Sequence, residues 1–85
     1  MQKFTYVLTD AEGIHARPAG ELVKAAKKFT SNITIVKDGK SAKATKLLAV
    51  MSLGAKQGQA VDFIIEGADE VEAAAELEAF MKANL

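Results

Sequence analysis

The chain of 85 residues has no cysteine and no tryptophan, and only one proline, one histidine and one tyrosine. Without cysteine there are no disulfides and no thiolate metal sites, and a lone histidine argues against a histidine-based zinc centre. So small a domain must then be held by its hydrophobic core. Apolar residues make up 49% and charged residues 26% of the chain, a balance that excludes an intrinsically disordered segment. No apolar run approaches the ~20 residues that span a bilayer. The first ten residues, MQKFTYVLTD, are too short and too polar for a secretory signal. Absence of cysteine accords with a reducing cytoplasm. The expectation is one domain over residues 1–85, without metal and without membrane insertion.

Net charge is zero, but the charges are unevenly spread. Residues 1–56 hold ten basic and four acidic side chains, and residues 57–85 hold one basic and seven acidic. This predicts a bipolar molecule whose cationic side suits an acidic partner or phosphate. The plainer alternative is that each charged side chain solvates its own element.

Residues 3–8 alternate around Phe4, Tyr6 and Leu8 and predict a strand. Asp10-Ala11-Glu12-Gly13 predicts a turn or loop. From Ala16 to about Lys28, Ala19, Leu22, Val23, Ala26 and Phe29 recur at helical spacing, with Pro18 in the first turn, where its missing N–H is not needed. Residues 32–37 alternate as a strand, Asp38-Gly39 predicts a tight hairpin turn, and residues 40–44 predict a lysine-protected edge strand. Lys46 to Leu53 predicts a short helix stopped by Gly54. Val61, Phe63 and Ile65 predict a central strand over 60–66. Asp69 and Glu72 form a capping-box pattern, followed by a helix whose expected buried stripe is Val71, Ala74, Leu77, Phe80 and Met81. The order β-α-β-β-α-β-α with a hairpin predicts a two-layer α+β sandwich, with helices on one face of the sheet and water on the other.

One helix start breaks the local rule. Where Ser, Thr, Asp or Asn is the usual cap, this chain has His15, followed by Ala16, Arg17 and Pro18. A helix start offers unpaired N–H groups and a partial positive charge, so it receives anions and favours the neutral, nucleophilic form of imidazole. A phosphoryl group on His15 would lie where the N–H groups of Ala16 and Arg17 point, within reach of the planar Arg17 fork. On composition alone, an incidental surface histidine is the commoner case. No second histidine, cysteine or Ser/Asp pattern completes a hydrolytic triad or a metal site.

The run Gly13-Ile14-His15-Ala16-Arg17-Pro18-Ala19 resembles the active-site signature of the HPr family, the histidine-containing phosphocarriers of the bacterial phosphoenolpyruvate-dependent sugar phosphotransferase system. Lys27-Lys28-Phe29-Thr30-Ser31, Asp38-Gly39-Lys40, Met51-Ser52-Leu53-Gly54 and Glu66-Gly67-Ala68-Asp69-Glu70 resemble family segments in the same order. The resemblance implies a four-stranded antiparallel sheet with three helices on one face. It implies a stoichiometric carrier rather than an enzyme: His15 takes a phosphoryl group on Nδ1 from enzyme I and passes it to IIA domains of sugar permeases, and Arg17 stabilises it. It implies no metal or organic cofactor. No nucleic-acid partner is expected, and a transient carrier in the cytoplasm is most useful as a monomer, although the sequence leaves the oligomeric state open. The partner-binding surface it implies spans the first helix and the short helix, here Arg17, Gly20, Lys24, Lys27, Lys46, Leu47, Leu48 and Met51. Leu47, Leu48, Val50 and Met51 also crowd a helix too short to bury them all, so some should be exposed. Gly20 costs ~1 kcal/mol against alanine in mid-helix; close approach of a partner and plain tolerance explain it equally.

Many family members carry a regulatory serine at the start of the short helix. This chain has Lys46 there, with Thr45 adjacent and Ser52 nearby, so phosphorylation by the dedicated kinase is not expected. The same signature fits a paralogue in the nitrogen-related phosphotransferase branch. A small acyl-phosphate hydrolase is disfavoured because the loop lacks a water-positioning asparagine. A regulatory module that carries no phosphate would lack the histidine.

Overall fold

The computed structural model describes residues 1–85 and contains β1 (Gln2–Val7), α1 (Ala16–Ala26), β2 (Asn32–Lys37), β3 (Lys40–Lys43), α2 (Leu47–Ser52), β4 (Ala60–Glu66) and α3 (Glu70–Asn84). The β2–β3 turn is built as its residues dictate: Asp38 has φ 51° and Gly39 φ 79°, the pair of positive values that matches the twist of a two-residue hairpin. The four strands form one antiparallel sheet in the order β1-β4-β2-β3. β4 lies inside it and β3 at an edge, as their apolar content and lysines predict. Three helices complete an open-faced α+β sandwich.

The register aligns the buried faces of all four strands. Phe4 faces Phe63, Phe63 faces Ile35, and Ile35 faces Ala42 across one row; Ile33 faces Ile65 in the next. The Phe4 and Phe63 rings stack with centroids 4.7 Å apart and planes 6° from parallel, which adds a directional contact to burial. From the helices come Leu22, Val23, Val50, Leu77 and Met81, all buried in the same cluster.

Two expectations for α3 need correction. Val71 is 64% exposed, and the buried residues are Ala73, Leu77 and Met81, with Ala74 and Phe80 half-buried. Steps of three residues drift about 60° per step on an α-helix, so Val71 falls on the far side from Leu77. The capping box over Asp69 and Glu72 also does not form. Asp69 is the N-cap residue, and its carbonyl accepts the first helical bond from Ala73 N–H at 2.9 Å, but its side chain bonds none of its own helix's N–H groups, and Glu72 is exposed. Instead the Asp69 carboxylate accepts from the Thr30 N–H (2.9 Å), the Ser31 N–H (3.0 Å) and the Ser31 hydroxyl (2.5 Å). Three donors from the α1–β2 loop outcompete one local cap. The reach-back bond comes from Glu70, whose carboxylate accepts from the Gly67 N–H at 3.1 Å.

The Ser31 hydroxyl, then the Thr30 N–H, hold the Asp69 carboxyl below its ordinary value of 3.8. A carboxyl whose folded value is lowered stabilises the fold above its unfolded value and loses that contribution as pH falls through the folded one. Asp69→Asn is therefore expected to lower the unfolding midpoint at neutral pH. The gap to the parent chain should narrow progressively below pH 3.8, measured by thermal melts across the acid range. An equal gap at every pH would place the effect in packing rather than in charge.

Candidate functional site

The backbone before α1 is folded back by Gly13, which has φ +66° and is buried. A Cβ there would overlap the Ala55 carbonyl oxygen and lie 2.7 Å from Lys56 Cα. That same carbonyl accepts the Ile14 N–H at 3.0 Å. The segment after α2 thus holds the residue before His15. The start of the loop is held from α3: the Leu85 carbonyl oxygen accepts from Thr9 N–H (2.5 Å), Asp10 N–H (2.8 Å) and the Thr9 hydroxyl (2.9 Å), and the Leu85 side chain is buried. Within the loop, Gly13 N–H bonds the Asp10 carbonyl at 3.0 Å, and Glu12 N–H bonds Asp10 Oδ1 at 2.8 Å.

Gly13→Val is expected to lower stability by about 2–4 kcal/mol, because it adds left-handed strain to overpacking against backbone. Urea unfolding measures it. A midpoint unchanged from the parent would mean that the 54–56 segment yields at no cost.

His15 is the N-cap of α1 in extended conformation (φ −107°, ψ −179°), and its side chain makes no cap hydrogen bond. Its carbonyl accepts the first helical bond, from Ala19 N–H at 2.9 Å. Pro18 has no N–H. The N–H groups of Ala16 and Arg17 therefore have no backbone or side-chain acceptor, and they point out of the helix start. The imidazole is 28% exposed, enough to be reached and still oriented by its surroundings. Two carboxylates flank it: Asp10 Oδ1 lies 3.7 Å from Nε2, and Glu12 Oε2 lies 4.0 Å from Nδ1. Both distances exceed hydrogen-bond range.

Arg17, two residues after His15, is exposed and has no carboxylate within 4.0 Å. Lys24, Lys27 and Lys46 are likewise exposed and unpaired, whereas Lys28 is tied to Glu76 of α3 at 2.5 Å. α1 packs against α2. On α2, Leu48 is 81% and Leu47 40% exposed while Val50 is buried. Met51 is half-buried against the core, so it offers an edge rather than a free side chain. A Cβ at Gly20 would meet nothing within 4 Å, so no contact inside the molecule requires glycine there. Neither surface recess lies at His15; one is lined by Glu21, Lys24, Ala25 and Lys28, the other by Ser31, Asn32, Ile33, Thr34, Lys43 and Thr45. The histidine stands on an open surface, which suits chemistry with a macromolecular partner rather than capture of a small molecule.

The family model described as the PTS HPr component phosphorylation site matches residues 2–83. The chain belongs to the HPr family. A curated relative, the phosphocarrier protein HPr of Buchnera aphidicola, is 43% identical over 74 residues, 87% of each chain. A solved structure of HPr from Thermoanaerobacter tengcongensis superposes with a TM-score of 0.93 at 38% identity, covering 98% of this chain and 93% of that one. The histidine-containing phosphocarrier protein of Mycoplasma gives a TM-score of 0.94 at 35% identity, covering 96% and 93%. At the level of the family, the chain is an HPr phosphocarrier of the phosphotransferase system. No helix is long and apolar enough to cross a membrane.

Sequence reasoning placed Asp10 and Glu12 in a loop and gave them no role. Their approach to the ring comes from the fold-back at Gly13 and the anchor at Leu85. The one local signal was the Asp-x-x-Gly spacing, in which an aspartate caps its own turn.

Proposed function

We propose that His15 is the phosphoryl acceptor, that it receives the group from phosphorylated enzyme I, and that it hands it to IIA domains of sugar permeases. The observation that carries this reading is the single histidine at an uncapped helix start, beside two unpaired N–H groups and an unpaired arginine. The unprotonated nitrogen of the neutral ring attacks phosphorus with its lone pair, the donor's bond to phosphorus breaks and its electron pair leaves with the donor, and the ring's proton stays on the opposite nitrogen until it is lost to solvent. The Ala16 and Arg17 N–H groups and the Arg17 guanidinium then face the phosphoryl oxygens, where fixed donors act on charge that develops during transfer. The protein is a stoichiometric carrier that works in the cytoplasm as a monomer of 9.0 kDa, and a native mass of twice that at working concentration would overturn the last point.

Incubation with enzyme I, magnesium and phosphoenolpyruvate tests the reading. The expected product is the intact chain bearing one acid-labile phosphoryl group. An unchanged mass, or an acid-stable modification, would defeat it.

The docking surface in this reading is the α1–α2 face, apolar at Leu47 and Leu48 and ringed by Arg17, Lys24, Lys27 and Lys46. Gly20 and the exposed edge of Met51 lie within it. Leu48→Glu is expected to weaken enzyme I binding by roughly tenfold or more, because it puts a charge at the apolar centre of an interface. Stability should change by no more than about 0.5 kcal/mol, since so exposed a side chain has little packing to lose. Titration calorimetry and thermal melts measure the two quantities. Full-strength binding would move the interface elsewhere.

A further inference from the structure

We propose that Asp10 and Glu12 form an anionic bracket around the His15 ring that destabilises its phosphorylated form and so keeps the phosphoryl group easy to give away. The proposal rests on the carrier reading for its purpose, but the electrostatics stand on the geometry alone. Glu12 Oε2 lies 4.0 Å from Nδ1 and Asp10 Oδ1 lies 3.7 Å from Nε2, so either ring nitrogen has a carboxylate at its side. No lysine or arginine lies within 4.0 Å of either carboxylate to cancel its charge. Asp10 is fixed by its own bond from the Glu12 N–H at 2.8 Å and by the Leu85 anchor on its backbone. Glu12 is exposed, so its contribution is the more screened of the two.

The free and phosphorylated states meet these carboxylates differently. With the ring unmodified, a carboxylate beside an imidazole N–H is attractive. With a phosphoryl group on the ring, the same carboxylate meets a group carrying up to two negative charges. Arg17 and the two free N–H groups of α1 act in the opposite direction. The helix start accepts the anion and the loop before it opposes it. A carrier needs both, since a group bound too well would not be passed on.

Loss of the group to water reads this balance without any protein partner. Water oxygen bonds to phosphorus, the N–P bond breaks, the ring nitrogen recovers the electron pair and takes a proton from the water, and inorganic phosphate leaves. The experiment phosphorylates the full chain chemically with phosphoramidate and follows the phosphohistidine by phosphorus NMR. Asp10→Asn keeps the oxygen that holds the Glu12 N–H, and Glu12→Gln keeps the side-chain shape. The doubly substituted chain is expected to hold its phosphoryl group about three- to tenfold longer at low salt, the scale of one or two exposed charge contacts near 4 Å. At about 1 M salt, where screening acts within ~3 Å, the difference should largely vanish. Glu12→Asp, which keeps the charge, should stay near the parent lifetime. An equal or shorter lifetime in the double variant at low salt overturns the bracket, and so does a gain that persists undiminished at high salt. Enzyme I serves as a separate arm. If it fails to label the parent chain, the carrier reading falls while the lifetimes still test the bracket; if it labels every chain and the lifetimes are equal, the bracket falls alone.

Discussion

His15→Ala is expected to abolish phosphorylation by enzyme I completely while leaving the fold intact. The side chain makes no cap hydrogen bond and no contact within hydrogen-bond range of a partner, so its removal breaks nothing that holds the loop. The loop is held by backbone instead, through the Ile14 N–H on Ala55 and the Thr9 and Asp10 N–H groups on Leu85. Alanine at an N-cap costs about 1 kcal/mol against a good capping residue, but the imidazole does not cap, so the loss should be smaller. Intact mass after incubation and a thermal melt together decide it. Undiminished acid-labile labelling of His15→Ala would place the acceptor elsewhere and remove the basis of the proposed function.

Arg17→Ala is expected to fold normally and to slow phosphoryl transfer by roughly ten- to a thousandfold, the range for losing one positioned donor to a transferring group. The guanidinium is exposed and engages no carboxylate, so it gives the fold little that could be lost. Arg17→Lys should recover part of the rate, because a point charge remains while the planar two-donor fork is gone. Rapid-quench measurement of the transfer step with saturating enzyme I separates this from weaker docking. A parental rate in Arg17→Ala would show that the Ala16 and Arg17 N–H groups are sufficient.

The strands of this chain were readable because their signals are local. Val61, Phe63 and Ile65 alternate with Asp62, Ile64 and Glu66, and the register places all three on the helix-covered face. Asp38 and Gly39 announce their turn through residue types that tolerate positive φ. His15 stood out for the same reason, as the wrong residue type at a helix start. The misreadings fall where two parts of the chain compete. Asp69 has the right type and position to cap α3, yet its carboxylate goes to Thr30 and Ser31, which lie far away in sequence. Val71 fits a three-residue spacing, but only the packing of α3 on the sheet shows which side of the helix is covered.

The amino-acid sequence alone determined the kinds of element, their order, the phosphocarrier signature and the candidate pair His15 and Arg17, because each depends on residues within a few positions of one another. Tertiary structure decided the rest. It turned Leu48 outward and Val50 inward on one short helix, left Met51 half-covered, and brought Ala55 and Leu85 to either end of the loop before His15. It also set the carboxylates of Asp10 and Glu12 beside the His15 ring. The physical reason is range. Propensity and periodicity act along a few residues, whereas the charge around a side chain is the sum over everything the fold brings near it.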